Sequence, residues 1–264
     1  MKKITYILLL ALTALCACDE VSPDKRLTYV EPPEVKRAVL IEDYTGQYCV
    51  NCPRATEEIE RLIEEYGDSV VIAVAIHSGP FGISKTEGIS PLYTELGNEY
   101  FNHWGLSFQP VGLVDRLFES MPLNYTEWAA GVNYELDYEA PVTFVTTSGY
   151  DNSTRQASIE VQTIGIDSTL VSGKLQVWLT EDSIDSFQHM PDGSKNDHYN
   201  HMHVFRASVN DLWGDDLSVR HGEVVTKNYT IKLDPEWVPE HCSIITFLYD
   251  EEGVRQVAKH HLIN

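Results

Sequence analysis

Two cysteines, Cys49 and Cys52, form a Cys-x-x-Cys pair between a strand pattern and a helix pattern. Residues 38–41 are a continuous apolar run, which is typical of a strand buried on both faces. Pro53 stands where a helix tolerates a missing N–H group, and apolar residues then recur at helical spacing. A second apolar run follows at 70–77. Strand, helix and strand in this order predict a parallel βαβ unit with the cysteines at its first turn.

The position of the cysteine pair at the start of a helix has chemical consequences. A helix N-terminus carries partial positive charge and free N–H groups, which stabilise a thiolate. We expect Cys49, which precedes the helix, to be the more exposed nucleophile and Cys52 to be the partly covered resolving thiol. Thiol–disulfide exchange, a structural disulfide and half of a metal site are the three interpretations. A metal site needs about four ligands, and the sequence has no second Cys-x-x-Cys pair to complete one. Cys242 and a histidine are the ligands that could contribute instead.

The N-terminus is similar to a bacterial lipoprotein signal. A pair of lysines precedes an apolar run at 7–12, which is too short to span a bilayer. The segment 15–18, Leu-Cys-Ala-Cys, resembles a lipobox. The resemblance implies cleavage after Ala17 and lipidation of Cys18, and an ordinary secretory signal is the alternative. Both interpretations predict export to an oxidising space, where disulfides persist.

The acidic composition limits the partners that the chain can bind. The 264 residues carry a formal net charge of −21, and such a surface repels phosphate backbones. We therefore expect no nucleic-acid partner.

Beyond residue 139 the pattern changes to short strands of alternating polarity. The clearest runs lie at 174–180, 228–233, 243–249 and 254–263. They predict an antiparallel β-sandwich of immunoglobulin-like size. The chain is thus divided into a signal peptide (1–17), a tether (18–35), an α/β domain (36–139) and a β-sandwich domain (140–264).

A histidine cluster in the tail is a second candidate site. His201 and His203 would point to one face of a strand, and His198 lies nearby. Such a pair with a third ligand can bind zinc or copper. A hydrogen-bonded hairpin corner is the alternative, which we favour, so we predict no stoichiometric metal and no cofactor.

The segment "VLIEDYTGQYCVNCP" resembles the active-site strand and turn of the thioredoxin fold. The resemblance implies a thioredoxin-like domain in which Asp43 is the buried carboxylate behind the cysteines. It also implies that Gln109–Pro110, in "SFQPVGLVDR", is the cis bond that faces them. Two departures concern redox tuning, since Tyr48 replaces the usual Trp and Val50-Asn51 replace the usual proline between the cysteines.

Two further features lie near the cysteines. His77 ends the second strand, on the sheet edge where ligands bind in open α/β folds. Residues 78–107 are rich in aromatic side chains, for which we favour core packing over a substrate groove.

The order of several segments along the whole mature chain is similar to that in the outer-membrane-protein-related lipoproteins of Bacteroidetes. These segments are "EDYTGQYCVNCPRA", "VAIHSG", "QPVGLVDR", "LTED" and "HYNHMHVFR". The resemblance implies attachment to the outer membrane by a lipid anchor, and it supplies no reaction. The leading hypothesis is thiol–disulfide exchange with exported protein thiols or disulfides, in which Cys49 attacks, Cys52 resolves, Asp43 relays a proton and Pro110 aligns the substrate. The alternative is a non-enzymatic module that binds an outer-membrane protein partner and keeps the cysteines as a structural disulfide.

Overall fold

The computed structural model describes residues 35–117 and 121–263. The predicted signal peptide, the predicted lipidation site Cys18 and nearly all of the predicted tether therefore lie outside the described residues. From Val35 onward the chain forms one compact unit.

The helices and strands are named here in chain order. The helices are α1 (Cys52–Tyr66), α2 (Glu95–His103) and α3 (Trp128–Leu136), with short 3-10 helices at Tyr125–Glu127 and Pro239–His241. The strands up to the predicted domain boundary are β1 (Val39–Thr45), β2 (Val71–His77), β3 (Ile83–Ser84), β4 (Gly88–Ile89) and β5 (Val111–Val114). The later strands are β6 (Val142–Asp151), β7 (Gln156–Gly165), β8 (Val171–Glu181), β9 (Ile184–His189), β10 (Lys195–His201), β11 (Val204–Ser208), β12 (Asp215–Val219), β13 (Val224–Lys232), β14 (Cys242–Asp250) and β15 (Gly253–His261).

The βαβ unit predicted around the cysteines is confirmed. Strand β1 pairs in parallel with β2, and α1 connects them. Helix α1 buries Ala55, Ile59 and Leu62 against this sheet, and its acidic side chains lie mostly off that stripe. It ends at Gly67, whose φ of 98° is accessible to glycine at little cost. The cysteines thus lie at the carboxyl end of β1, where α1 begins.

One eight-stranded sheet includes strands from both predicted domains. Its order is β15-β14-β8-β11-β2-β1-β5, and β12 also pairs with β8. The join is parallel pairing of β11 with β2, at Val204 and Ala75. One apolar core contains Leu40 and Tyr100 from the first segment together with Trp178 and Phe247 from the second. The division into domains at 139/140 stays a prediction. The two segments on either side of this boundary share one sheet and one apolar core.

Three of the remaining tail strands form an antiparallel sheet of their own. Strands β13, β7 and β6 pair in that order, and alternate residues of β7 are buried. Ile159 and Val161 of β7 share a core with Val177 of β8 and Ile244 of β14. The alternating runs of the tail sequence therefore correspond to strands with one face in this core.

A buried ion pair lies inside the shared core. Arg116 follows β5, and its Nε donates to Glu42 Oε1 in β1 at 2.6 Å. The Glu42 side chain also accepts a hydrogen bond from the Tyr44 hydroxyl at 3.0 Å. Glu42 is 0% exposed and Arg116 is 3% exposed. Four aromatic rings surround the guanidinium, those of Trp104, Trp178, Phe247 and Tyr249.

Candidate functional site

The cysteines form a disulfide in the turn between β1 and α1. The turn is closed by backbone hydrogen bonds, in which Cys49 N donates to Gly46 O at 3.0 Å and Cys52 N donates to Cys49 O at 3.4 Å. Cys49 is 2% exposed and Cys52 is 1% exposed. Both cysteines are therefore buried to nearly the same extent, because a distant part of the chain covers the turn, and the greater reactivity expected of Cys49 stays a prediction.

That cover is the hairpin of β9 and β10. Gln188 of β9 donates from Nε2 to Cys49 O at 2.9 Å and to Gly46 O at 3.3 Å. The Tyr48 ring, next to the first cysteine, lies 5.2 Å from the ring of Phe187 and 5.4 Å from that of His189. Sequence reasoning missed this hairpin as part of the site, since nothing local in residues 184–201 signals contact with a turn more than 130 residues earlier.

Asp43 lies in β1 behind the disulfide. Its side chain is 1% exposed, and its Oδ1 has no hydrogen-bond partner in the structure. Burial raises the pKa of this carboxyl from 3.8 to about 8, because the charged form loses its hydration. Asp43 is therefore protonated at neutral pH and can give a proton to a neighbouring base.

His77 ends β2, aligned with Thr45 at the end of β1. It is buried, and its ring lies 5.3 Å from that of His201, the last residue of β10. Burial is the main reason that the pKa of His77 falls well below 6.5, and nearby His201 and Arg206 lower it further. Burial also lowers the pKa of His201, to about 4. Both histidines are therefore neutral at neutral pH.

Asp43, Cys52, His77 and His201 line one small cavity. Its volume is about 20 Å³, which is enough for roughly one water molecule. The unpartnered Nδ1 of His77 and Oδ1 of Asp43 both belong to residues of its wall. The structure thus brings the second cysteine, the buried acid and two neutral imidazoles together around one polar cavity.

The Gln109–Pro110 peptide bond is cis, as predicted. Pro110 directly precedes β5, the strand that pairs antiparallel with β1. The Gln109 amide donates to Thr45 O at 2.6 Å and to Ser78 O at 2.9 Å, and it accepts from Phe81 N at 3.2 Å. Gln109 therefore holds the ends of β1 and β2 and the following loop in place beside the disulfide.

The three tail histidines are neighbours in sequence but have different partners. His198 is exposed, with its Nδ1 3.1 Å from Asp185, whereas His203 lies 3.2 Å from Asp182. His201 instead faces His77. Across residues 35–117 and 121–263, no group of three or more His, Cys, Asp or Glu side chains is arranged to hold a metal ion.

The aromatic segment 78–107 divides between core and surface. Tyr100 and Phe101 are buried in the shared core, as expected from the sequence. Phe81, Ile83 and Ile89 of this segment are exposed instead, as are Val50 in the disulfide turn and Phe108 just before Gln109. Tyr48 N donates to Phe81 O at 3.1 Å, so the loop that carries Phe81 adjoins the disulfide turn directly.

The chain is thus a mixed α/β protein that has one large sheet and a Cys-x-x-Cys disulfide. The family model described as outer membrane protein Omp28 matches residues 97–264, and the chain belongs to this family. A search of curated proteins found no match. None of the helices within the described ranges has the length and apolar character to cross a membrane.

The first two of the following three similar solved structures support the overall fold. HBP35 of Porphyromonas gingivalis has a TM-score of 0.64 and 19% identity, over 86% of this chain and 76% of that one. A protein of Agrobacterium tumefaciens has a TM-score of 0.52 and 12% identity, over 87% of this chain and 96% of that one. A domain of the outer membrane lipoprotein Omp28 from P. gingivalis is 24% identical over 46% of this chain and 94% of that one, with a TM-score of 0.33.

Proposed function

We propose that this protein is an exported, lipid-anchored member of its family whose Cys49–Cys52 pair exchanges with thiols or disulfides of other exported proteins. In this proposal the first segment is a thioredoxin-like domain and the tail is a β-sandwich. The observation that carries it is the shared cavity, in which a carboxyl that is protonated at neutral pH lies beside the second cysteine. A disulfide that only closes a turn needs no proton donor behind it.

The chemistry assigns one role to each residue. A thiolate of the partner attacks Sγ of Cys49, the Cys49–Cys52 bond breaks, and its electron pair goes to Sγ of Cys52. The Asp43 carboxyl gives its proton to that thiolate and becomes a carboxylate. In the reverse direction Asp43 takes the proton back while Cys52 displaces the partner. The N-terminus of α1 stabilises negative charge on sulfur during both steps.

The exposed apolar side chains suggest what the partner looks like. Single apolar residues on a surface are ordinary, but the loops around this turn carry several of them. In the proposed function Val50, Phe81 and Phe108 contact apolar segments of an exported polypeptide that presents a cysteine. Pro110, which directly precedes β5, orients the backbone of that polypeptide.

Trapping of mixed disulfides in cells tests the proposal. In Cys52→Ser the resolving thiol is absent, so Cys49 should accumulate disulfide-linked complexes with exported proteins on non-reducing gels. In Cys49→Ser no such complexes should form, since in the proposed mechanism the partner bonds to Cys49 and Cys52 only resolves that bond. Cys242→Ser is the matched control, because Cys242 is a buried free thiol in β14, and it should behave as wild type. Absence of complexes in Cys52→Ser would contradict the proposal.

A binding module with a structural disulfide is the second candidate. The observation in its favour is that both cysteines are almost fully buried in the oxidised structure. For such a module, Cys52→Ser traps no partner, and reduction lowers the free energy of unfolding without any exchange.

The lipid anchor gives a separate prediction. Cys18→Ala should release the protein from membranes into the soluble exported fraction, because the acylated residue is lost. Cys16→Ala is the matched control, since Cys16 lies before the proposed cleavage site and leaves with the signal peptide. The measurement is fractionation after a high-salt wash. A Cys18→Ala protein that still sediments with membranes is anchored in another way.

A further inference from the structure

We propose that the β9–β10 hairpin is a lid, which must lift from the turn before a thiol can reach the Cys49–Cys52 sulfur atoms. The inference goes beyond the proposed function, because access to the disulfide is a property of the structure whether or not a protein partner exchanges with it. It also explains how the cysteines are buried although their turn lies at the carboxyl end of β1, outside the sheet.

The hairpin forms a sheet of its own. Strands β9 and β10 pair with each other as a two-stranded sheet, separate from the eight-stranded and three-stranded sheets. Most of β10 is exposed, and its register shifts between Asn196 and Tyr199. A two-stranded hairpin without support from a larger sheet has little stability of its own. Its position therefore depends on the contacts that it makes with the turn.

Those contacts converge on the residues around the cysteines. His189 N donates to Gln47 O at 2.9 Å, and the Gln47 amide donates to Phe187 O at 2.7 Å and to Ser186 Oγ at 2.9 Å. Gln188 reaches Cys49 O. The two glutamines thus point in opposite directions across the contact, one from the turn and one from the hairpin. The ring of Tyr48 packs on Phe187 of the hairpin beside them.

The base of the hairpin combines two residues that could act as hinges with an aspartate that holds the base in place. Ser183 precedes β9 with φ of 60°, and His203 follows β10 with φ of 58°. Non-glycine residues seldom adopt this left-handed region. Hinges are commonly a few residues at the ends of an element, which is where these two residues lie. Asp182 holds the base, since it accepts from His203 N and lies 3.2 Å from Lys259 Nζ. Rotation at the two left-handed residues would lift residues 184–201 while the base stays in place.

Reduction by dithiothreitol measures access to the sulfur atoms directly. The reagent is oxidised to its cyclic disulfide, and Cys49–Cys52 is reduced to two thiols. Gln188→Ala should raise the second-order rate constant about tenfold, because hydrogen bonds that close the lid are lost. Phe187→Ala should raise it by at least about threefold through loss of the ring contact with Tyr48. Gln156→Ala, an exposed glutamine at the start of β7, is the matched control and should leave the rate unchanged.

Hydrogen exchange separates lid opening from general unfolding. In Gln188→Ala the His189 amide should exchange faster while the amides of β1 keep their wild-type protection. Rates of reduction equal to wild type in both lid variants would overturn the proposal, and so would faster reduction accompanied by an equal loss of protection in β1. Neither outcome bears on the proposed function, which the trapping experiment tests independently.

Discussion

Replacement of Glu42 by glutamine is expected to lower the free energy of unfolding by about 3–5 kcal/mol, because removal of one partner strands a buried charge. Arg116 is 3% exposed, and its Nη1 and Nη2 atoms have no hydrogen-bond partner, so Glu42 is the carboxylate that it contacts. The surrounding rings offset part of the charge through cation–π contacts. Urea denaturation at neutral pH measures the loss.

Two control variants sharpen this prediction. Glu58→Gln breaks the ion pair with Arg61 on the solvent side of α1 and should cost far less than Glu42→Gln, because solvent screens exposed charges. The double variant Glu42→Leu/Arg116→Leu should recover much of the loss, since an apolar pair leaves no buried charge. A Glu42→Gln protein within about 1 kcal/mol of wild type would show that the guanidinium is stable in its aromatic surroundings without a counter-ion.

Replacement of Asp43 by asparagine should stabilise the protein at alkaline pH. The carboxyl has a pKa of about 8 in the folded protein, against 3.8 when solvated. A raised pKa means that the folded state binds the proton more tightly, so its contribution to stability is complete below pH 4 and is lost as the pH rises to 8. The size of that loss is roughly 5 kcal/mol. Asparagine does not ionise, so the Asp43→Asn protein avoids this loss. After the cost of burying an amide, it should be more stable than wild type by about 2 kcal/mol or more at pH 8.

The measurement is the free energy of unfolding of oxidised wild type and Asp43→Asn between pH 4 and pH 9. The difference between the two proteins should grow with pH over this window and level off above pH 8. Asp68→Asn, an exposed aspartate after α1, is the control and should show no such growth. Parallel stability curves for wild type and Asp43→Asn would mean that the carboxyl is already ionised in the folded protein at neutral pH.

The parts of the site that lie close together in sequence could be predicted. The apolar runs around Cys49 and Cys52 predict the βαβ unit, because strand and helix periods differ and parallel strands require a crossover. The resemblance to thioredoxins added Asp43 and the cis peptide at Pro110. Asp43 lies two residues after the apolar run 38–41, and an acid that continues such a strand is also a signal by itself, since the strand is buried on both faces.

The parts that depend on long-range pairing could not be predicted. The register of β11 against β2 brings His201 beside His77, and the hairpin before it covers the turn. Strand periodicity shows which residues face a core, but it does not show which sheet a strand joins. The same limit applies to Arg116, whose partner Glu42 lies 74 residues earlier on a neighbouring strand. For the same reason, the sequence around the predicted domain boundary does not show that one sheet continues across it.

The reduction potential of the Cys49–Cys52 pair tests the central claim most directly. It is read by alkylation of the thiols after equilibration in buffers of defined dithiothreitol or glutathione ratio. The account predicts a value between about −270 and −120 mV, the range of proteins that exchange disulfides. The reason is that the N-terminus of α1 stabilises the thiolate of the reduced form. A potential below about −300 mV, with no exchange toward peptide disulfides, would contradict the claim and identify the pair as a structural disulfide.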